Sequence, residues 1–288
     1  MTPAPEHTLI QFTDLHLVAD GVRYAIDPAE ALTRALAAVE ESGVAPSALL
    51  FTGDLTDEGE PAAYERLRGL VEPVAARLGA PALFVMGNHD DRAALRTHLL
   101  GIRPTGGPAD TAPLDHVTRI GDLRVVVLDS TVPGHAHGEL TPDQLAWLEA
   151  ELTEPAPTGT VLALHHPPLP SPSRLSAAIE LQRRTTLGAV LSGTDVRIVL
   201  AGHTHLVSAG AVAGVPVWTG GATSYVSDAL VPAGEERALN AQTVSRIDLF
   251  ADSVVAAAVP VGADRRGTLS AAEVEQRVAE LRSRTDAA

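Results

Sequence analysis

The chain is predicted to be an α/β protein in which two β-sheets pack face to face with helices outside. Two observations carry this. The first hundred residues alternate apolar strand runs with amphipathic helices, β-α-β-α-β-α, the order that builds a parallel sheet. Beyond residue 201 the chain is strand-rich, which fits a second sheet laid against the first. A third observation locates the chemistry. Five apolar runs stop abruptly at Asp, Asn or His, and α/β folds place their sites at the carboxyl ends of strands.

In order, residues 8–13 form the first strand. Asp27-Pro28 opens a helix, Asp as N-cap and Pro at N1. It carries Ala31, Leu32, Ala35, Leu36 and Val39 at helical spacing and stops at Gly43. Strand 48–52 follows, then a helix over 61–78 with Tyr64, Leu67, Leu70, Val71 and Val74 inward and a kink expected at Pro73. Strand 82–86 and a helix over 91–100 complete the first half. Six Gly and Pro residues make 101–113 a loop that is expected to overhang the site. Strands 115–120 and 123–129 form a hairpin across Gly121-Asp122, and the polar loop beyond carries His135, His137 and Glu139. Thr141-Pro142 opens a helix with Leu145, Trp147, Leu148 and Leu152. Strand 160–164, a proline-rich loop, a helix over 175–191 and strand 196–201 come next. Strands over 206–212, 215–219, 244–250 and 253–259 lead to an amphipathic helix over 270–284, expected to pack on the domain. No composition break marks a linker, so one domain over 1–288 is expected, its core at about 8–260.

Apolar content of 45% with only 3% aromatic residues calls for a core of Ala, Val and Leu. There is no cysteine, so disulfides and thiolate metal sites are excluded and any metal sits on imidazole and oxygen. The formal charge of −15 argues against a DNA or RNA polymer as partner, because Lys and Arg supply the favourable term there. A small phosphate ester remains compatible, since bound metal reverses the local field. Met1–Glu6 shows no signal-peptide pattern, and no apolar run approaches the ~20 residues of a membrane helix; a cytoplasmic protein is expected.

The strand ends supply seven donors. Asp14-x-His16 and His203-x-His205 each place two ligands at i and i+2, where extended backbone points both the same way. Asp54 follows Gly53, which leaves room for a sharp turn and close approach. Asn88 offers a neutral oxygen and His165 another imidazole. Singly each piece is an ordinary turn or helix cap; their recurrence at five strand ends points to a site. With Asp54 shared, the set holds two ions of Fe, Mn, Zn or Co type. Two ions ~3.5–4 Å apart suit in-line displacement at phosphorus, with a hydroxide held between them as nucleophile. His89, beside Asn88, diverges from that ion and is placed to bind a phosphate oxygen or protonate the departing alkoxide. Asp57 and Asp90 are candidates to orient imidazoles. Of His165 and His166 only one should face the metals, and His165 is chosen. His7, His98 and His116 read as surface histidines, and His135 and His137 as candidates for substrate contact.

Asp14-x-His16, Gly53-Asp54-x-x-Asp57, Gly87-Asn88-His89-Asp90, His165-x-Pro167 and Gly202-His203-x-His205 together resemble the calcineurin-like metallophosphoesterase superfamily, over about residues 8–260. Residues 53–64 and 162–168 resemble more closely the class III cyclic-nucleotide phosphodiesterases of actinobacteria. The resemblance implies a four-layer αββα sandwich of two mixed sheets flanked by helices, and a dinuclear centre, often Fe/Mn. It assigns Asp14, His16, Asp54 and His205 to one ion and Asp54, Asn88, His165 and His203 to the other, with His89 as the acid. Asn88, His89 and His203 are expected to face substrate. It implies a homodimer and hydrolysis of 3′,5′-cyclic nucleotides, cAMP or cGMP, to 5′-nucleotides. The alternatives are a broader phosphodiesterase for 2′,3′-cyclic nucleotides or glycerophosphodiesters, and an inactive scaffold of the same fold.

Overall fold

The computed structural model describes residues 4–23, 25–232, 234–263 and 267–285. Met1–Pro3, part of the stretch read for a signal peptide, lie outside the described residues. One sheet comprises β1 (His7–Phe12), β2 (Ala48–Thr52), β3 (Ala82–Val85), β12 (Gln242–Leu249) and β13 (Val254–Val261), ordered β13-β12-β1-β2-β3. Strands β1 to β3 run parallel and β12 returns antiparallel beside β1. The other comprises β4 (His116–Ile120), β5 (Leu123–Leu128), β6 (Thr160–Leu164), β7 (Val196–Ala201), β8 (Ser208–Val212) and β9 (Val215–Thr219), ordered β4-β5-β6-β7-β9-β8. A two-residue pair that sequence reading missed, β10 (Val226–Ser227) with β11 (Ala238–Leu239), stands apart.

Strand alternation sorts side chains into three apolar layers. On β2, Ala48 and Leu50 join Val125, Val127, Val161, Ala163, Ile198 and Leu200 of the other sheet in the central layer. Leu49 and Phe51 point the other way, onto helices α1 (Pro28–Glu41) and α2 (Pro61–Leu78). Val126, Leu128, Leu162, Leu164 and Val199 pack outward against α4 (Pro142–Glu151) and α6 (Arg184–Leu191). The result is the expected αββα sandwich. Each fully buried Leu or Val contributes roughly 1.5–3 kcal/mol relative to exposure. The core is mainly aliphatic; its aromatic members include the buried Tyr64 and a stack of Phe12, Phe51 and Phe84 across β1, β2 and β3 at centroid separations of 4.9 and 5.0 Å.

Local signals set the helix starts. The Asp27 carboxylate accepts from the N–H groups of Ala29 and Glu30, and Thr141 with Gln144 forms a capping box for α4. Arg124, 2% exposed, locks the end of α4 to the second sheet. Its guanidinium donates to Thr160 Oγ1 (2.8 Å), the Glu154 carbonyl (2.9 Å), the Glu151 carbonyl and both Asp195 oxygens (2.8 and 3.0 Å).

Helix α2 continues through Pro73, which lies on its exposed face, as does Gly69 four residues before it. Three expectations change. The helix expected at 91–100 is a single α-turn, α3 (Arg92–Ala94), running into a π-turn over Leu95–Leu99. The helix expected at 175–191 breaks into α5 (Arg174–Ala177) and α6; between them Leu181 pairs with Gly138 and Arg183 takes a left-handed φ of 51°. The terminal helix α7 (Ala271–Thr285) does not pack as expected: of its side chains over 271–281 all are exposed except half-buried Val278. A capping box of Ser270 and Glu273 organises its first turn without tertiary help.

Candidate metal centre

The carboxyl ends of five strands from both sheets meet at one edge. Beyond β1 lie Asp14 and His16, beyond β2 Asp54, beyond β3 Asn88 and His89, beyond β6 His165, and beyond β7 His203 and His205. Backbone bonds lace them together: Asp14 N–H donates to Gly53 O (3.0 Å), His16 N–H to Asp54 O (2.9 Å) and Gly202 N–H to His165 O (3.0 Å). Asp14, His16, Asp54, His203 and His205 all have left-handed φ, between 46° and 70°. Such values are uncommon outside glycine and mark a turn that the surroundings impose. Gly53 is required here because a Cβ would strike the His165 ring.

The imidazoles are aimed by groups that can only accept. His16 Nδ1 lies 3.0 Å from Asp57 Oδ1, His165 Nδ1 2.8 Å from Thr52 O, and His205 Nδ1 2.8 Å from Tyr225 O. His203 uses its other nitrogen, Nε2, 2.9 Å from Ile179 O. A carboxylate or carbonyl oxygen cannot donate, so each of these nitrogens carries the proton and the opposite nitrogen turns a lone pair inward. His16 Nε2 and His205 Nε2 then lie 3.1 Å apart, each turning its lone pair toward the other. Two such lone pairs repel unless a cation lies near them, and donors at ~2.1 Å from one ion and about 90° apart are separated by ~3 Å.

Asp54 stands between two donor groups. Its Oδ2 is 3.7 Å from His16 Nε2 on one side and 3.3 Å from His165 Nε2 on the other, while Oδ1 accepts from His89 N–H at 3.0 Å. Asp14 Oδ1 is 3.6 Å from His205 Nε2, and both Asp14 oxygens accept from His203 N–H. Among the described residues, the buried Asn88 Oδ1 and His165 Nε2 have no hydrogen-bond partner. Orphaned donors of this kind, beside acceptor-only carboxylates and correctly turned imidazoles, fit a pair of divalent ions.

The electrostatics agree. Burial drives His205 down to about 4 and, with His165 beside it, His203 down to about 3, which favours the neutral ring in both. Burial would lower His165 too, but the Asp54 and Asp14 carboxylates push it up to about 9. Burial would raise Asp54, yet His165 and His16 hold it well below the carboxylate range. Burial and the Asp54 charge raise Asp14 to about 6 against the pull of His165.

Around this ring, Asp57 holds His16 through Oδ1, and the Arg23 Nε lies 2.6 Å from its Oδ2. Asp90 does not take the expected place beside an imidazole. Its oxygens accept from the N–H groups of Leu55, Thr56 and Gly87 and from the Tyr64 hydroxyl, tying two of the site's loops to α2. Its backbone follows the turn after His89, which points its carboxylate into the frame. His89 Nδ1 donates to Asp57 O at 2.8 Å, which leaves Nε2 free of that frame. His7, His98 and His116 are half-buried and bind Ser47, Glu65 and the Leu114 carbonyl. His135 and His137 sit with ring centroids 5.0 Å apart on the loop after β5. Of loop 101–113, Thr111 reaches the cavity beside Asn88, and Arg96 and Arg92 fasten the loop through the Asp110, Ala112 and Thr111 carbonyls. Sequence reading missed Thr52, Ile179 and Tyr225, which act through main-chain carbonyls, a contribution with no side-chain signature.

Residues 7–207 match the model of the Calcineurin-like phosphoesterase family. The chain belongs to this family. Calcineurin-like phosphoesterases are hydrolytic and use a dinuclear metal centre, and the clusters Asp14–His16–His205 and Asp14–Asp54–His165 are of that type. The chain is 48% identical over 263 residues, 90% of its length and 81% of the relative's, to a cAMP/cGMP dual specificity phosphodiesterase of Mycobacterium tuberculosis. It is 44% identical to a Rhodococcus erythropolis protein named "Probable cyclic nucleotide phosphodiesterase", over 91% of this chain and 86% of that one. Among solved structures, a dimetal phosphatase from Danio rerio superposes with a TM-score of 0.61 at 17% identity, covering 90% of this chain and 98% of that one. That likeness shows the calcineurin-like fold alone. Among the described residues, no helix is long and apolar enough to cross a membrane.

Proposed function

We propose that this calcineurin-like phosphoesterase hydrolyses 3′,5′-cyclic nucleotides, cAMP and cGMP, to 5′-nucleotides. The observation that carries the reading is Asp54 Oδ2, set 3.3 Å from one donor group and 3.7 Å from the other. Asp14, His16, Asp54 and His205 would hold one ion, and Asp54, Asn88, His165 and His203 the second, with iron and manganese as the pair. When bound, the pair supplies Lewis-acid polarisation of phosphoryl oxygens and lowers the pKa of water towards neutrality. The 48% identity to the mycobacterial dual specificity enzyme, over 90% of this chain and 81% of that one, supports the cyclic substrate.

The chain's own residues supply orientation and a proton. Asp57 and the carbonyls of Thr52, Ile179 and Tyr225 keep four imidazoles turned inward. His89 is the acid. Burial would lower its pKa, but Asp54 and the Asp57 carbonyl outweigh this and raise it, which favours the protonated ring that would give its Nε2 proton to the departing O3′. Asn88 and His203 are the further residues proposed to face substrate. The proposal includes a cytoplasmic location and the homodimer implied by the sequence resemblance, checked by cell fractionation and light scattering.

The test compares kcat/KM on 3′,5′-cyclic, 2′,3′-cyclic and glycerol diesters, with metal content measured in the same samples. The 3′,5′-cyclic substrates should lead, and chelation should abolish turnover. Preference for a glycerol or 2′,3′-cyclic diester by about tenfold would replace the substrate assignment with the broader phosphodiesterase. A fully loaded protein that turns over none of them would be the inactive scaffold.

A further inference from the structure

His166 lies against the centre and yet takes no part in the proposed ligand set. Its ring centroid is 4.3 Å from that of His203 and 5.0 Å from that of His165. Both of its nitrogens are engaged elsewhere. Nε2–H donates to Ala136 O at 3.1 Å, and the neutral ring's Nδ1 accepts from the Ser130 hydroxyl at 2.9 Å. Its own N–H also reaches Ser130 Oγ, at 3.3 Å. The side chain is fully buried, and a Cβ on Gly138 would run into it, so the loop closes directly over the ring. A histidine placed in this way cannot serve as an additional metal ligand without releasing the loop.

The loop is stiffened from within and from the far side. Glu139 N–H donates to Ser130 O and His135 N–H to Val132 O, both at 2.9 Å. Gly138 O accepts from Gln182 N–H at 2.7 Å, and Gly138 lies beside Leu181 in the segment where the predicted helix breaks. That same segment presents Ile179 O to His203. A continuous helix over 175–191 would satisfy the Ile179 carbonyl internally and leave His203 without its anchor. Val132, Pro133 and Gly134 of the loop line a cavity of about 200 Å³ together with Asn88, Met86 and Thr111. This is smaller than the ~300–1,000 Å³ of whole-ligand sites, so it suits one portion of a diester.

We propose that His166 is a positioning residue: it fixes residues 131–138 as the wall of the cavity beside Asn88, which receives the organic part of the phosphodiester. The proposal rests on the phosphodiesterase reading above. The test uses the metal-loaded enzyme with His166→Phe, which keeps an aromatic ring and loses both hydrogen bonds, and with the milder Ser130→Ala. Metal content should stay at the wild-type level in both. KM for 3′,5′-cAMP should rise about tenfold in His166→Phe and less in Ser130→Ala, with kcat within about threefold, the pattern of lost binding contacts. Hydrogen exchange at the amides of His135 and Glu139 should accelerate in parallel. Loss of one metal equivalent at unchanged KM would make His166 a ligand and overturn the proposal, as would unchanged KM and exchange in both variants. If the wild-type enzyme turns over no diester, the phosphodiesterase reading falls on its own, and unaltered exchange in the variants would sink the positioning role separately.

Discussion

Replacing Asp57 with asparagine should damage metal binding more than removing its side chain altogether. Asp57 faces two donors: His16 Nδ1–H at 3.0 Å from Oδ1 and the Arg23 guanidinium at 2.6 Å from Oδ2. A carboxylate satisfies both; an amide has one oxygen and an NH₂. The charged Arg23 takes the oxygen, so the NH₂ meets His16 Nδ1 and draws its lone pair outward. The proton then sits on Nε2, the nitrogen that must face Asp54 and His205. Recovering the ligating tautomer costs the charge-assisted contact, roughly 1.5–3 kcal/mol, or about 10–100-fold in affinity for one ion. The ion assigned to Asn88, His165 and His203 should be little affected. In Asp57→Ala, water can accept from Nδ1, so the loss should be smaller. Competition titration of stripped protein against a chromophoric chelator reads both constants. An Asn variant within about threefold of wild type, or an Ala variant weaker than the Asn, would refute the tautomer argument.

Three further outcomes are expected. His89→Ala should cut kcat about 10²–10³-fold on cyclic nucleotides with metal retained, and much less on an aryl diester whose leaving group needs no acid; equal losses would remove the proton-donor role. Metal affinity should strengthen from about pH 7 and level off near 9, because binding expels the proton that Asp54 and Asp14 hold on His165, with a slope approaching tenfold per pH unit; a flat profile by calorimetry would contradict it. Below about 6 protonation of Asp14 should weaken binding further. Arg124→Met should destabilise the fold by about 3 kcal/mol, since it strands the nearly buried Asp195 carboxylate; a urea midpoint equivalent to under ~1 kcal/mol would show that the remaining Ala156 and Thr160 contacts suffice.

The sheets and most helices were readable because their signals are local. Asp27, Thr141 and the apolar runs ending in Asp54 and His165 say where elements start and stop. The convergence of Asp14, Asp54, Asn88, His165, His203 and His205 was also readable, because parallel strands deliver their ends to one edge. What sequence could not supply is long-range. The 175–191 pattern is helical by periodicity, but Leu181 gains a partner in Gly138 and Ile179 one in His203, and tertiary pairing overrides propensity there. The Asp90 carboxylate reads as a partner of an imidazole because it follows Asn88-His89 in the chain, yet it binds the nearby Gly87 N–H and, more than twenty residues away, Leu55, Thr56 and Tyr64. The terminal helix shows the converse: Val274, Val278 and Leu281 look like a buried stripe, yet Val274 and Leu281 remain 42% and 55% exposed.

The left-handed turns at Asp14, His16, Asp54, His203 and His205 set durability against turnover. A non-glycine residue in that conformation forfeits about 1–2 kcal/mol, so five together rival the whole margin of ~5–15 kcal/mol by which a domain stays folded. Glycine at any of them would relieve that local strain, but it would delete a donor and, at Asp14 and Asp54, strand the N–H groups of His203 and His89. Comfort for the backbone and chemistry at the edge of the sheets are therefore alternatives at these five addresses.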